Sequence, residues 1–288
     1  MKSSPPTGSE RTDEAGVAVR EAAVRLSKTS DPPRLDAELL MAHALGTTRS
    51  HMLIHAMRDE APSAFEALIQ RRLAYEPVAH IVGRQEFYGL DLEVSPNTLI
   101  PRSDSETLIE AAREAFGSRR APRRILDLGT GTGALLLAAL DLWKTARGFG
   151  LDASEGAVNV TRRNAARLGF GDRATMDVGD WTQTGWRDGL GGFDLVLCNP
   201  PYIEAAASLD PDVADYEPHS ALFAGPDGLD DYRLLAPHIR ALIEPGGIAV
   251  FEIGHTQADA VTEIFAAEGF AITLRQDLAG RARALVLS

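Results

Sequence analysis

Asn199-Pro200-Pro201-Tyr202 stands directly after the apolar run 193–198 and joins an amide side chain, two residues without a backbone N–H and an aromatic ring. The run ending in Cys198 reads as a buried strand, so these residues occupy a strand end. Asn199 precedes a proline and is pushed toward extended geometry. Pro200 and Pro201 cannot donate to a ladder, which leaves carbonyls free for a ligand. An Asn oxygen, a free carbonyl and a flat ring suit a planar group bearing –NH2. The same residues would also make an ordinary proline-rich turn, and the upstream sequence has to separate the two.

Upstream, residues 124–128 lead into Gly129-Thr130-Gly131-Thr132-Gly133 and then a helical stretch, 134–142. Glycines permit a tight turn and close backbone approach, and the helix start offers free N–H groups to an anion. The next strand ends at Asp152, whose carboxylate can accept from both hydroxyls of a ribose. Together these point to a nucleoside-containing cofactor. A nicotinamide enzyme would show G-x-G-x-x-G, and the third glycine here falls one position early. Asp127 would repel a pyrophosphate and attract an ammonium. S-adenosylmethionine carries an ammonium, a carboxylate, a ribose and an adenine, which matches the set. Asp180 could accept from the adenine amino group and Trp181 could pack on the ring, although Trp181 suits the core equally well. Asn199 is counted with both the cofactor and the acceptor residues.

These residues need a scaffold. Residues 10–78 read as a small helical bundle, with apolar residues at helical spacing in Leu35-Leu39-Leu40, Met52-Leu53-Ala56-Met57 and Phe65-Leu68-Ile69-Leu73. The start, 1–9, reads as a flexible tail. Residues 79–100 contain an alternating segment around Gly89 and form a β-hairpin linker. From 101 to 288 strands alternate with helices. Strands are expected at 125–128, 149–152, 174–178, 195–198, 248–253, 271–274 and 284–287, with helices at 154–168 and 256–267. That order predicts an α/β fold with a mostly parallel, doubly wound sheet.

Composition narrows the chemistry further. The net charge is −12, and it lies wholly in one part: residues 1–85 carry 11 basic and 11 acidic side chains, residues 86–288 carry 18 and 30. Such a surface repels phosphate backbones and disfavours a nucleic-acid substrate. Between Ile203 and Tyr232 there are eight acidic residues and no Lys or Arg, which is a solvated loop or a docking surface for a basic protein. No apolar stretch would span a bilayer. One cysteine excludes an internal disulfide and fits a reducing cytoplasm. The seven histidines show no metal-ligand spacing, so no metal is expected. A monomer is expected.

The glycine loop, Asp152 and N-P-P-Y together resemble a class I S-adenosylmethionine methyltransferase, a Rossmann-like fold. The resemblance implies seven strands, the last antiparallel, with both motifs on one rim. It also makes N-P-P-Y the acceptor of an amino nitrogen. An amide nitrogen is a poor nucleophile because its lone pair is delocalised into the carbonyl. Asn199 Oδ1 and the Pro200 carbonyl would accept its two N–H bonds as positive charge develops, and Tyr202 would stack on the amide plane. Pro201 completes the substrate-binding set. Cys198 ends a buried strand and is set aside as a nucleophile.

Three further segments carry a narrower resemblance: 99–106 (LIPRSDSE), 217–233 (EPHSALFAGPDGLDDYR) and 277–283 (DLAGRAR). With the N-terminal helices they resemble the HemK/PrmC family of glutamine methyltransferases from about residue 15 onward. The family implies methyl transfer to the glutamine of the Gly-Gly-Gln loop of class I peptide chain release factors, leaving S-adenosylhomocysteine. The helical domain would help hold that partner. Ser103 and Ser105 depart from the Pro and Thr usual there. A sister family that modifies a ribosomal protein tends to lack the acid at Asp104 followed by Glu106. That enzyme, a nucleic-acid amino-methyltransferase and a non-catalytic cofactor-binding module are the alternatives.

Overall fold

The computed structural model describes residues 14–288, and the tail expected at 1–9 lies outside them. Contacts divide the chain into two units, Met1–Val82 and Gly83–Ser288. The first is helical: α1 Ala15–Leu26, α2 Pro33–Ala44, α3 Arg49–His51 running into a wide turn at Met52–Ala56, α4 Ala64–Leu73 and α5 Val78–Val82. Pro33 sits in the first turn of α2, where its missing N–H costs nothing. The apolar residues at helical spacing close a core of Leu26, Leu40, Met41, Met52, Phe65 and Ile69. Arg72 on α4 bridges to Asp36 on α2 at 2.7 Å, so the cation that enters this core is paired.

The second unit opens with the hairpin β1 Arg84–Phe87 and β2 Leu90–Glu93. Its two-residue turn puts Tyr88 and Gly89 at φ 51° and 80°, the primed geometry that matches strand twist. Phe87 and Leu92 are buried with Leu108 and Ile109. The hairpin therefore packs into the second unit. A short 3-10 turn, Ser103–Ser105, leads into α6 Glu106–Phe116, and strands and helices then alternate: β3 Arg124–Leu128, α7 Ala134–Leu142, β4 Arg147–Asp152, α8 Glu155–Arg167, β5 Ala174–Val178 and β6 Phe193–Cys198. After β6 come the short α9 Pro211–Ala214, a 3-10 turn at His219–Ala221 and α10 Asp230–Leu242, then β7 Ile243–Glu252, α11 Ala258–Ala267, β8 Ile272–Gln276 and β9 Ala282–Leu287.

The seven-stranded sheet has the order β5-β4-β3-β6-β7-β9-β8, with β9 antiparallel to both neighbours. Alternate residues of its central strands face opposite layers. Ile125, Leu195 and Val250 meet the layer of α6, α7 and α8, while Leu126, Val196, Cys198 and Phe251 meet that of α10 and α11. The expected strand at 248–253 is the second half of a longer one, and the helix expected from 256 starts at Ala258. The chain leaves β3 for β4 and β5 on one side, then returns to lay β6 on the other. That reversal opens a crevice beyond the strand ends. The register Leu128↔Cys198 brings Gly129 and Asn199 to one level across it.

Candidate active site

The crevice is a cleft of about 970 Å³, its mouth included, and its walls include Asp127, Gly129–Thr132, Asp152, Trp181, Asn199 and Pro201. Gly129, Gly131 and Gly133 take φ of 73°, 57° and 85°, which L side chains resist. Gly129 also lies under the Trp181 ring, whose Cη2 would stand 3.2 Å from an added Cβ. The ring is fixed at its far end, where Nε1 donates to Asp231 Oδ1 at 2.7 Å. Thr161 on α8 donates to the Gly131 carbonyl at 2.8 Å and holds the loop from behind.

Two carboxylates mark the cleft electrostatically. Asp127 is fully buried, with Oδ2 accepting from Thr130 Oγ1 at 2.8 Å and Oδ1 without a partner among the described residues. Burial pushes its pKa up to about 7, against the pull of the Thr130 hydroxyl. A buried acceptor left open beside a cleft fits a cationic group, and the ammonium of S-adenosylmethionine is one. Asp152 accepts from Gly131 N at 2.8 Å and Ser154 N at 2.9 Å, one bond to each oxygen. Burial raises its pKa too, and each oxygen keeps a lone pair for a hydroxyl donor.

Asn199 stands where this cleft meets a second cavity, lined by Leu99, Arg102, Tyr202, Ile203 and Glu252 among others. Its Nδ2 donates to Ser105 Oγ at 3.5 Å, a long bond, and Oδ1 has no hydrogen-bond partner among the described residues. The Tyr202 hydroxyl donates to Glu252 Oε1 at 3.3 Å, and its carbonyl accepts from Gln257 Nε2 at 3.0 Å. Gly228, at φ 71°, lies so close that a Cβ would overlap the Tyr202 carbonyl. No hydrogen bond of the described residues reaches the Pro200 carbonyl. Cys198 is buried and its thiol pKa is pushed well up by burial, so it takes no nucleophilic role.

Comparison with known proteins adds to this geometry. Residues 18–83 match the PrmC N-terminal domain, and residues 121–267 match a methyltransferase domain. Release factor glutamine methyltransferase of Caulobacter vibrioides is 42% identical over 246 residues, 83% of each chain. That of Bradyrhizobium diazoefficiens is 38% identical over 278 residues, covering 93% of this chain and 92% of its own. The chain belongs to the release factor glutamine methyltransferase family. Among solved structures, the hMettl16 catalytic domain in complex with MAT2A 3'UTR hairpin 6 shares the fold, with TM-score 0.51 and 13% identity over 70% of this chain and 76% of its own.

Most residues singled out from the sequence converge in this methyltransferase. Gly129, Thr130, Gly131, Thr132, Asp152, Trp181 and Asn199 line the cleft, and Asn199 and Tyr202 line the adjoining cavity. Gly133 turns the chain into α7 behind the loop. Asp180 does not line the cleft. Its Oδ1 accepts from Thr182 N and Thr182 Oγ1 within its own turn, and Oδ2 has only a 3.5 Å contact from Gln183 Nε2. Sequence reasoning missed the support beneath the cavity. Glu217 accepts from Ile100 N at 2.8 Å and pairs with Arg102, which pins 99–102 against the site. Arg283 donates to Asp104 at 3.0 Å and lies 3.5 Å from Asp277 and 4.0 Å from Glu252. The three segments 99–106, 217–233 and 277–283 are thus one structure. Among the described residues no His, Cys, Asp and Glu group could hold a metal, and no helix is long and apolar enough to cross a membrane.

Proposed function

We propose that this enzyme methylates the side-chain amide nitrogen of the glutamine in the Gly-Gly-Gln motif of class I peptide chain release factors, using S-adenosylmethionine. The observation that carries this reading is the position of Asn199, in the wall shared by the two cavities, with Oδ1 free. Family membership supplies the substrate class. The helical unit would help recruit the protein, and the single buried cysteine suits a reducing cytoplasm.

Asp127 would take the cofactor ammonium, Asp152 the ribose hydroxyls, and Trp181 would cover the loop. The cofactor supplies an electrophilic methyl on a sulfonium and leaves as S-adenosylhomocysteine. Asn199 Oδ1 and the Pro200 carbonyl accept the two amide N–H bonds, which orients the nitrogen and favours the charge it gains. Tyr202, held at hydroxyl and carbonyl, sets the plane of the amide. Pro201 fills the cleft wall between them. No strong base is required, because an N-alkylated amide cation is acidic enough to lose its proton to water.

The test is incubation with methyl-labelled S-adenosylmethionine and, separately, release factors, ribosomal protein and DNA, followed by peptide mapping. Label on the Gly-Gly-Gln glutamine supports the reading. Label on a ribosomal-protein glutamine, or on a nucleobase, would replace it with the corresponding alternative.

A further inference from the structure

The second cavity has a charged floor that the reaction as described does not use. Glu252 ends β7, is 2% exposed and lines this cavity with Asn199 and Tyr202. Its Oε1 receives the Tyr202 hydroxyl, and its backbone carbonyl receives the Tyr232 hydroxyl at 2.8 Å. Oε2 has no hydrogen-bond partner among the described residues and is shut off from solvent. An unpartnered carboxylate oxygen at such depth is costly, and costs of that kind are tolerated mainly where a ligand offsets them.

The surroundings do not neutralise it. One guanidinium, Arg283, serves three carboxylates: Asp104 at 3.0 Å, Asp277 at 3.5 Å and Glu252 at 4.0 Å. Arg102, the cation that lines the cavity, is paired with the buried Glu217. Asp210 also lines the cavity and adds no cation, while Tyr202, Tyr232 and Cys198 have pKa values raised by burial and stay neutral. The floor therefore carries excess negative charge on a buried side chain, where a charge acts strongly on its neighbours.

We propose that Glu252 is the counter-charge of the acceptor cavity, stabilising the positive charge that gathers on the amide nitrogen during transfer. The proposal rests on the glutamine-methylating reading and adds a residue to it. As the nitrogen lone pair forms the N–CH3 bond, the S–CH3 bond breaks and its electrons stay on sulfur. Positive charge moves from sulfur to nitrogen, and the N–H proton then passes to water. A carboxylate fixed near that nitrogen favours the charged state over the neutral substrate amide, which is the condition for lowering a barrier. Burial raises the Glu252 pKa to about 7, against the Ser105 hydroxyl and Arg283, so its charge switches near neutrality.

Ornithine places an ammonium where glutamine has its amide nitrogen, on a side chain of the same length. Calorimetry with Gly-Gly-Gln and Gly-Gly-Orn loop peptides, without cofactor, therefore reads the counter-charge directly. In the wild-type protein the affinity ratio of ornithine over glutamine peptide should rise roughly tenfold from pH 6 to pH 8, as a group of pKa about 7 ionises. In Glu252→Gln, which keeps an acceptor for Tyr202, the ratio should fall about tenfold at pH 8 and lose its pH dependence. Turnover of the glutamine peptide should fall with little change in KM. A glutamine peptide that is methylated while the ratio stays flat with pH in the wild-type protein overturns the proposal alone, whether or not the variant folds. A peptide neither bound nor methylated removes it together with the reading on which it rests.

Discussion

Asn199 illustrates how one side chain is committed by its neighbours. An asparagine amide can donate and accept, and only its surroundings decide which end faces a ligand. Here Ser105 takes Nδ2, and Oδ1 is left without a hydrogen-bond partner among the described residues in a side chain that lines both cavities. Asn199→Ala should abolish methyl transfer, a loss of at least about a hundredfold on the scale of removing one oriented polar group. Cofactor affinity should change less than about threefold, since Asp127 and Asp152 carry the charged contacts in this reading. Turnover within about fivefold of wild type, measured with label, would remove Asn199 from the reaction. Asp180 shows the converse. Its position after β5 made it a reasonable adenine acceptor, and Thr182, two residues on, engages one of its carboxylate oxygens, Oδ1, in a local turn outside the cleft lining.

At the scale of elements, the site is two strand ends held at one level by parallel pairing and clamped from above. The clamp is the 217–233 segment, whose Gly228 lets the chain pass against the Tyr202 carbonyl while Gln257 Nε2 bonds both carbonyls. Gly228→Ala should be destabilising by roughly 1–3 kcal/mol, because φ 71° is strained for alanine and the Cβ meets backbone. Because Tyr202 must move, the Michaelis constant for the substrate should rise while cofactor affinity holds. Urea titration together with kinetics checks this, and an unchanged midpoint would show that the segment yields freely. The strands β3, β4 and β6 were legible as apolar runs because a parallel sheet buried on both faces needs them. The early start of β7 was not, since 243–247 is half-exposed and carries Pro245, Gly246 and Gly247.

For the whole molecule, two buried acids set the pH response. Asp127 and Glu252 both sit near pKa 7 when the cleft is empty, above the ordinary 3.8 and 4.5. The folded state then binds more protons than the unfolded state between those values. The resulting stability is complete below the ordinary values and is lost as pH rises through about 7. The unfolding free energy from denaturant titration should fall between pH 6 and 8, by about 1 kcal/mol for each group. Asp127→Asn and Glu252→Gln should each flatten part of the profile, and a profile unchanged in both variants would assign the loss to other groups. The sequence by itself determined the strand order of chemistry: a glycine loop after β3, an acid ending β4 and N-P-P-Y after β6, each a local signal tied to a strand end. Charge composition, which needs no fold, carried the expectation that a nucleic acid is a poor substrate. Only the tertiary structure decided that Asp104, Glu252 and Asp277 gather around Arg283 and that Glu217 holds Arg102, because ion pairs between residues up to 179 positions apart leave no local pattern. It alone decided that the amide motif of Asn199-Pro200-Pro201-Tyr202 stands over a carboxylate, since depth and dielectric arise only when layers close over a sheet.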